Sequence, residues 1–192
     1  MTDRLRHRPR LQLDRAGRWL KGVRRVASPN CDERPAGTDI SLVIIHGISL
    51  PPGEFGGGHV DQLFTNTLNP AAHPYFSTIS GLCVSAHLFI DRRGRITQYV
   101  PFHLRAWHAG ESSFCGRMAC NDFSIGVELE GCDDQAYEAR QYAAAAAAVR
   151  LLMRRWPAIT ARNVVGHSDV APGRKTDPGP AFDWADFRKR LG

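Results

Sequence analysis

Apolar residues recur along this chain with two different periods, and the change of period marks the elements. Leu42-Val43-Ile44-Ile45 is a continuous, mostly β-branched run ending at His46-Gly47, which predicts a central strand buried on both faces. Residues 124–130 instead alternate, with Ile125, Val127 and Leu129 on one face and Gly126, Glu128 and Glu130 on the other. Residues 84–90 and 95–100 flank Asp91-Arg92-Arg93-Gly94, whose turn residues predict a hairpin. Over 138–156 the period lengthens. Tyr142, Ala145, Ala146, Val149, Leu152, Met153 and Trp156 return at helical spacing, Arg150, Arg154 and Arg155 lie opposite, and Pro157 closes the helix. Shorter helices are expected near 59–65 and 70–77, separated from the first strand by a Pro- and Gly-rich loop over 51–58. Residues 163–165 form a further strand-like lead. The sum is an α/β fold: a mixed sheet of about five strands flanked by helices, the hairpin arguing against a doubly wound parallel sheet.

Composition narrows this picture. A chain of 192 residues, 43% hydrophobic and 23% charged, suits one domain with a real core. No apolar run approaches the ~20 residues of a membrane span. The net charge of +6 suggests nucleic acid until it is located. Residues 1–25 hold nine Lys or Arg against Asp3 and Asp14, a net +7, so residues 26–192 carry −1. The division expected is therefore a basic extension over 1–25, solvated and not a nucleic-acid arm, and a domain over 26–192. Five cysteines, an odd number without a CxxC pair, fit free thiols in a reducing compartment. With no apolar h-region at the start, the expectation is a cytoplasmic protein, acting as a monomer.

Candidate chemistry concentrates in Gly166 to Trp184, GHSDVAPGRKTDPGPAFDW. Pro172, Gly173, Pro178, Gly179 and Pro180 rule out a regular helix or an inner strand, so this is a shaped loop carrying His167, Lys175 and Asp177. Imidazole with carboxylate suits zinc, whose catalytic sites use three protein ligands and leave one position for water. His46 and His167 both end apolar strands, where ligands gather in sheet proteins. Glu128 is the proton-handling candidate, because Gly126 two residues away leaves room for something to approach; a solvated strand face shared with Glu130 is the plain alternative. Lys175 could aim a positive charge at a developing oxyanion or be an ordinary surface lysine. His7, His59, His73 and His103 read as surface or structural, and His87 as a core histidine or a neighbour of the site.

The segments LVIIHGISLPPGEFGGG, VSAHLFI, WHAG, CNDFSIGVELEG and GHSDVAPGRKTDPGPAFDW, in this order, resemble the AmpD-type anhydro-N-acetylmuramoyl-L-alanine amidases. These are zinc amidases with the peptidoglycan-recognition-protein fold, and the likeness runs from about Val26 to Leu191. It implies zinc on His46, His167 and Asp177, with Glu128 and Lys175 catalytic. The implied reaction is hydrolysis of the amide between anhydro-N-acetylmuramic acid and L-alanine of small muropeptides, in cell-wall recycling and, through it, control of β-lactamase induction. Departures from the family pattern are Cys83 and Ala119, where arginines that grip stem-peptide carboxylates are usual, and Gly47, where Asn is usual. Arg117 lies near enough in sequence to compensate. Trp107 and His108 are candidate contacts to sugar or peptide, with structural packing an equal contender for both. The rival expectations are a non-catalytic peptidoglycan-binding module and an exported amidase acting on intact wall.

Overall fold

The computed structural model describes residues 11–192. In chain order the strands are β1 (Arg24–Arg25), β2 (Cys31–Glu33), β3 (Leu42–Ile48), β4 (Leu88–Ile90), β5 (Ile96–Gln98), β6 (Leu104–Ala106), β7 (Ser113–Phe114), β8 (Arg117–Met118), β9 (Ser124–Glu130) and β10 (Val164–Gly166). The helices are α1 (His59–Phe64), α2 (Pro74–Thr78), α3 (Ala139–Arg155), α4 (His167–Val170) and α5 (Trp184–Leu191). Six strands form the main sheet in the order β1-β5-β4-β9-β3-β10, one more than the expected five. Only the β4–β5 hairpin is antiparallel; β4, β9, β3 and β10 run parallel. The mixed α/β sheet is as expected, though the hairpin strands are three residues each, shorter than the apolar runs suggested. The second short helix starts at Pro74, not Pro70, because His73 caps it by accepting the Tyr75 N–H.

Alternate residues of β3 face two cores. Val43 and Ile45 join Ile125, Val127 and Leu129 under α3, while Leu42 and Ile44 pack with Phe123, Val165 and Val170 on the other face. The alanine run of α3 brings that helix close to the sheet, with Ala145, Ala146 and Ala148 buried. Glu138 and Gln141 cap its start reciprocally, and the buried Gln141 amide also donates to the Ile90 and Glu130 carbonyls. A third core fills the face beneath α1 and α2, with Phe64, Phe76 and Tyr99 fully buried.

The basic leader differs from expectation. Residues 11–25 pack on the domain: Leu20 is buried, its N–H bonds Gln98, and β1 pairs in parallel with β5. Charge marked residues 1–25 as an extension, but Leu11, Leu13, Leu20 and Val23 supply enough apolar surface to dock half of it. His7 and the arginines up to Arg10 lie outside the described residues. Among the described residues, no helix is long and apolar enough to cross a membrane.

Candidate metal centre

Parallel pairing of β3, β9 and β10 opens their carboxyl ends at one edge of the sheet. The register sets His46 directly beside Glu128, and sets Gly166 beside Ile45, so the next residue, His167, arrives next to His46. The proline-broken loop then returns Asp177. It is held by the Ser168 N–H donating to the Asp177 carbonyl at 3.0 Å and by the Tyr137 hydroxyl donating to the Pro178 carbonyl at 2.9 Å. Gly47 belongs to this arrangement, because a Cβ there would lie 2.3 Å from the Tyr137 hydroxyl.

Three ligand atoms converge. His46 Nδ1 lies 3.0 Å from His167 Nδ1 and 3.2 Å from Asp177 Oδ2, and His167 Nδ1 lies 3.1 Å from the same carboxylate oxygen. His167 Nε2 is 3.2 Å from the Ala109 carbonyl, which can only accept, so the proton is on Nε2 and a lone pair is on Nδ1. Burial pushes His46 down to about 4, against the pull of Asp177, so at neutral pH the ring is uncharged. Burial alone would raise the Asp177 carboxyl, but contact with His167 and His46 outweighs it and holds the group well below the usual carboxylate range. Two imidazoles and one carboxylate aimed at a common point form a group that could hold a metal ion. Donors on a tetrahedral ion with ~2.0–2.1 Å bonds stand about 3.3 Å apart, close to the spacing here, and this mixed N/O set suits zinc.

Glu128 stands beside the group, only 8% exposed, with Oε1 3.9 Å from His46 Nδ1. Its other oxygen, Oε2, is buried without a hydrogen-bond partner. Burial, with the charge of Asp177, raises its carboxyl well above the ordinary value, and Lys175 opposes this. The solvated-face alternative is excluded, since all seven residues of β9 are buried. Lys175 is exposed on the wall of a cleft of about 810 Å³ that also reaches His46, Glu128, His167 and Asp177. Tyr75, Ile79, Leu82 and Val84 give that cleft an apolar wall.

The structure does not bring all the candidate substrate contacts to the cleft. The Trp107 indole N–H donates to Asp32 at 3.1 Å, away from the cleft lining, so no open ring face is offered there. Arg117 lies on the β7–β8 hairpin with its guanidinium 3.9 Å over the Phe123 ring, where it does not replace a cleft arginine. His108 borders the cleft, but its Nδ1 meets His46 Nε2 at 3.0 Å and its Nε2 meets Ser124 Oγ at 3.2 Å. The room beside Gly126 is taken by this same ring, since a Cβ at 126 would stand 2.5 Å from it. His87 is a core histidine: Nδ1 accepts the Gly126 N–H, which leaves Nε2–H to donate to the Leu104 carbonyl. Sequence reasoning missed Tyr137 and the partnership of His108 with His46. Only Gly47 and Gly126, glycines inside strands, hinted that something packs closely there.

A three-ligand metal group with a partnerless buried carboxylate beside it, at the end of an open cleft, is the constellation of a metal-assisted hydrolase. The comparisons with known proteins agree with it. The family described as N-acetylmuramoyl-L-alanine amidase matches residues 36–180, and the chain belongs to that family. It is 59% identical over 170 residues to the 1,6-anhydro-N-acetylmuramyl-L-alanine amidase AmpD of Citrobacter freundii, covering 88% of this chain and 90% of that protein. A crystal structure of a Se-Met AmpD derivative superposes with a TM-score of 0.90 at 57% identity, covering 94% of this chain and 99% of that one. The amidase AmiD of Escherichia coli, in complex with the substrate anhydro-N-acetylmuramic acid-L-Ala-D-gamma-Glu-L-Lys, is a more distant neighbour. Its TM-score is 0.59 at 28% identity, covering 95% of this chain and 66% of that one.

Proposed function

We propose that this protein hydrolyses the amide joining anhydro-N-acetylmuramic acid to L-alanine in small muropeptides, as a step of cell-wall recycling, with zinc held by His46, His167 and Asp177. Bound there, zinc supplies Lewis acidity that polarises a carbonyl and makes a nearby water more acidic. Glu128 ionises more readily beside a cation, takes the proton of the attacking water and returns it to the amine of L-alanine as the C–N bond breaks. Lys175 presents its ammonium from the cleft wall to the carbonyl oxygen as that oxygen turns negative. The apolar wall of Tyr75, Ile79 and Leu82 offers a surface for the sugar ring. The family and the AmpD relatives support the substrate, and the E. coli neighbour was captured on an anhydromuramyl peptide.

The observation that carries this reading is Glu128 Oε2, buried and without a partner, next to three converging donor atoms. A binding module would have no use for such an uncompensated carboxyl. All five cysteines are free, which accords with a reducing cytoplasm. The expected state is a monomer without nucleic-acid or membrane partners.

Digestion of anhydro-muropeptides and of intact sacculi side by side, with products weighed by mass spectrometry, tests it. Free L-alanyl peptide should appear from the former, disappear with chelator and return with zinc. Binding without cleavage by zinc-loaded protein would leave the non-catalytic module standing, and preference for sacculi would favour the wall-acting alternative.

A further inference from the structure

His46 must present a lone pair at Nδ1 to serve as a ligand, and a neutral imidazole then carries its proton on Nε2. That proton has one neighbour: Nε2 lies 3.0 Å from His108 Nδ1. Unlike the two Nδ1 atoms that face a common metal position, these nitrogens have no cation between them, so with the proton on His46 Nε2 the His108 Nδ1 accepts, and the His108 proton sits on its own Nε2. There it faces Ser124 Oγ at 3.2 Å, with the hydroxyl accepting. The assignments run in one direction from the His46 lone pair to Ser124 Oγ, whose own proton turns away from His108. All three residues are at most 8% exposed, so water cannot take over either bond. Gly126 completes the cradle, as any side chain at 126 would strike the His108 ring.

We infer that His108 is a positioning residue for the metal centre: its Nδ1 accepts the Nε2 proton of His46, and its Nε2 is anchored on Ser124, so that His46 is held as the tautomer that turns a lone pair to the metal. The inference rests on the metal reading above and deepens it. Outer partners of this kind orient a ligand imidazole and raise its basicity, and their loss typically costs 10–100-fold in metal affinity. His167 is served by a backbone carbonyl, which no substitution of a side chain removes. His46 depends on a side chain alone, so only the His46 arm is sensitive in this way.

Zinc affinity by chelator competition on the full chain, with nitrogen-15 spectra of the histidine rings in the zinc-loaded protein, tests the inference. Wild type should show His108 protonated on Nε2 only and His46 protonated on Nε2 only. His108→Leu should weaken zinc binding 10–100-fold, and His108→Asn, whose Oδ1 can stand in for the accepting Nδ1, should restore most of it. A packing role alone would lower the melting temperature of the metal-free protein in both variants and leave zinc affinity equal between them. Finding His108 protonated on Nδ1, or His108→Leu binding zinc as wild type does, would overturn the proposal; the spectra of wild type decide it even if the leucine variant does not fold. Failure of wild type itself to bind zinc would instead sink the metal reading.

Discussion

Two clefts of similar size meet strand β9 two residues apart, and only one of them is built for chemistry. Glu128 lines the cleft of about 810 Å³, and Glu130 lines the other, about 860 Å³. Both glutamates are buried. Glu130 spends its oxygens on the N–H groups of Gly56 and Arg92, at 2.5 and 2.9 Å. Glu128 leaves Oε2 with nothing to accept from. Around the second cleft Arg24 pairs with Asp61 and Arg95 with Asp91, so each carboxylate that lines it is answered within the protein. Volume therefore does not distinguish the two. What distinguishes them is polarity left uncompensated, which costs stability and persists where a ligand or a reaction makes use of it.

That contrast can be broken by exchanging the fates of the two glutamates. Glu128→Gln should keep its zinc, measured by metal analysis after dialysis, and lose ~10²–10⁴-fold in turnover. Wild-type turnover in this variant would remove Glu128 from the reaction. Glu130→Ala should do the opposite. It should leave turnover close to wild type and lower the free energy of unfolding in urea by about 0.5–1.5 kcal/mol for each of the two hydrogen bonds lost, to the exposed Gly56 and half-buried Arg92. A large loss of turnover at constant stability would show that Glu130 belongs to the chemistry after all.

Gly47→Ala sharpens the picture on the metal side, because the new methyl meets the Tyr137 hydroxyl that holds the Pro178 carbonyl. Overpacking of this kind costs about 1–3 kcal/mol. Here it should also weaken zinc binding, read by chelator competition, since the displaced loop carries Asp177.

The pH dependence of the metal-free protein separates the same groups more gently. Burial raises Glu128, so the folded chain keeps a proton that the unfolded chain sheds above about pH 4.3. Its contribution to stability is full below that value and declines as the pH rises towards the raised native one. His87 runs the other way: burial and then Arg34 lower it to about 3, so its contribution is full above about pH 6.5 and is lost as the pH falls towards 3. Urea titrations of metal-free wild type and Glu128→Gln between pH 5 and 8 should show a smaller decline for the glutamine variant. The smallest effect belongs to the second cleft. Arg24→Ala, removing a partly exposed ion pair, should change stability by about 0–1 kcal/mol and turnover not at all.

Much of this was legible in the residues themselves. The run at 42–45, the alternation at 124–130 and the helical spacing at 138–156 are local signals, and each became the element it predicted, because backbone period and burial are read from neighbours a few positions apart. The ligand trio could be suspected for a related reason: strand ends and a proline-broken loop show in short windows, and the family motifs fall on them. Trp107 and Arg117 misled because residue type says what a side chain can contact, while the partners that occupy them, Asp32 on β2 and Phe123 just ahead of β9, are chosen by the fold.

The sequence by itself determined five of the six strands of the main sheet, the long helix and the residue types able to bind a metal. Tertiary structure alone decided that His46 pairs with Glu128 across parallel strands, that Glu130 is satisfied while Glu128 is not, and that His108 stands behind His46. It also decided that residues 11–25, charged as they are, dock through their few leucines. The physical reason is common to all four. Register and hydrogen-bond partnership are set by pairings between segments remote in the chain, and no periodicity within one segment carries that information.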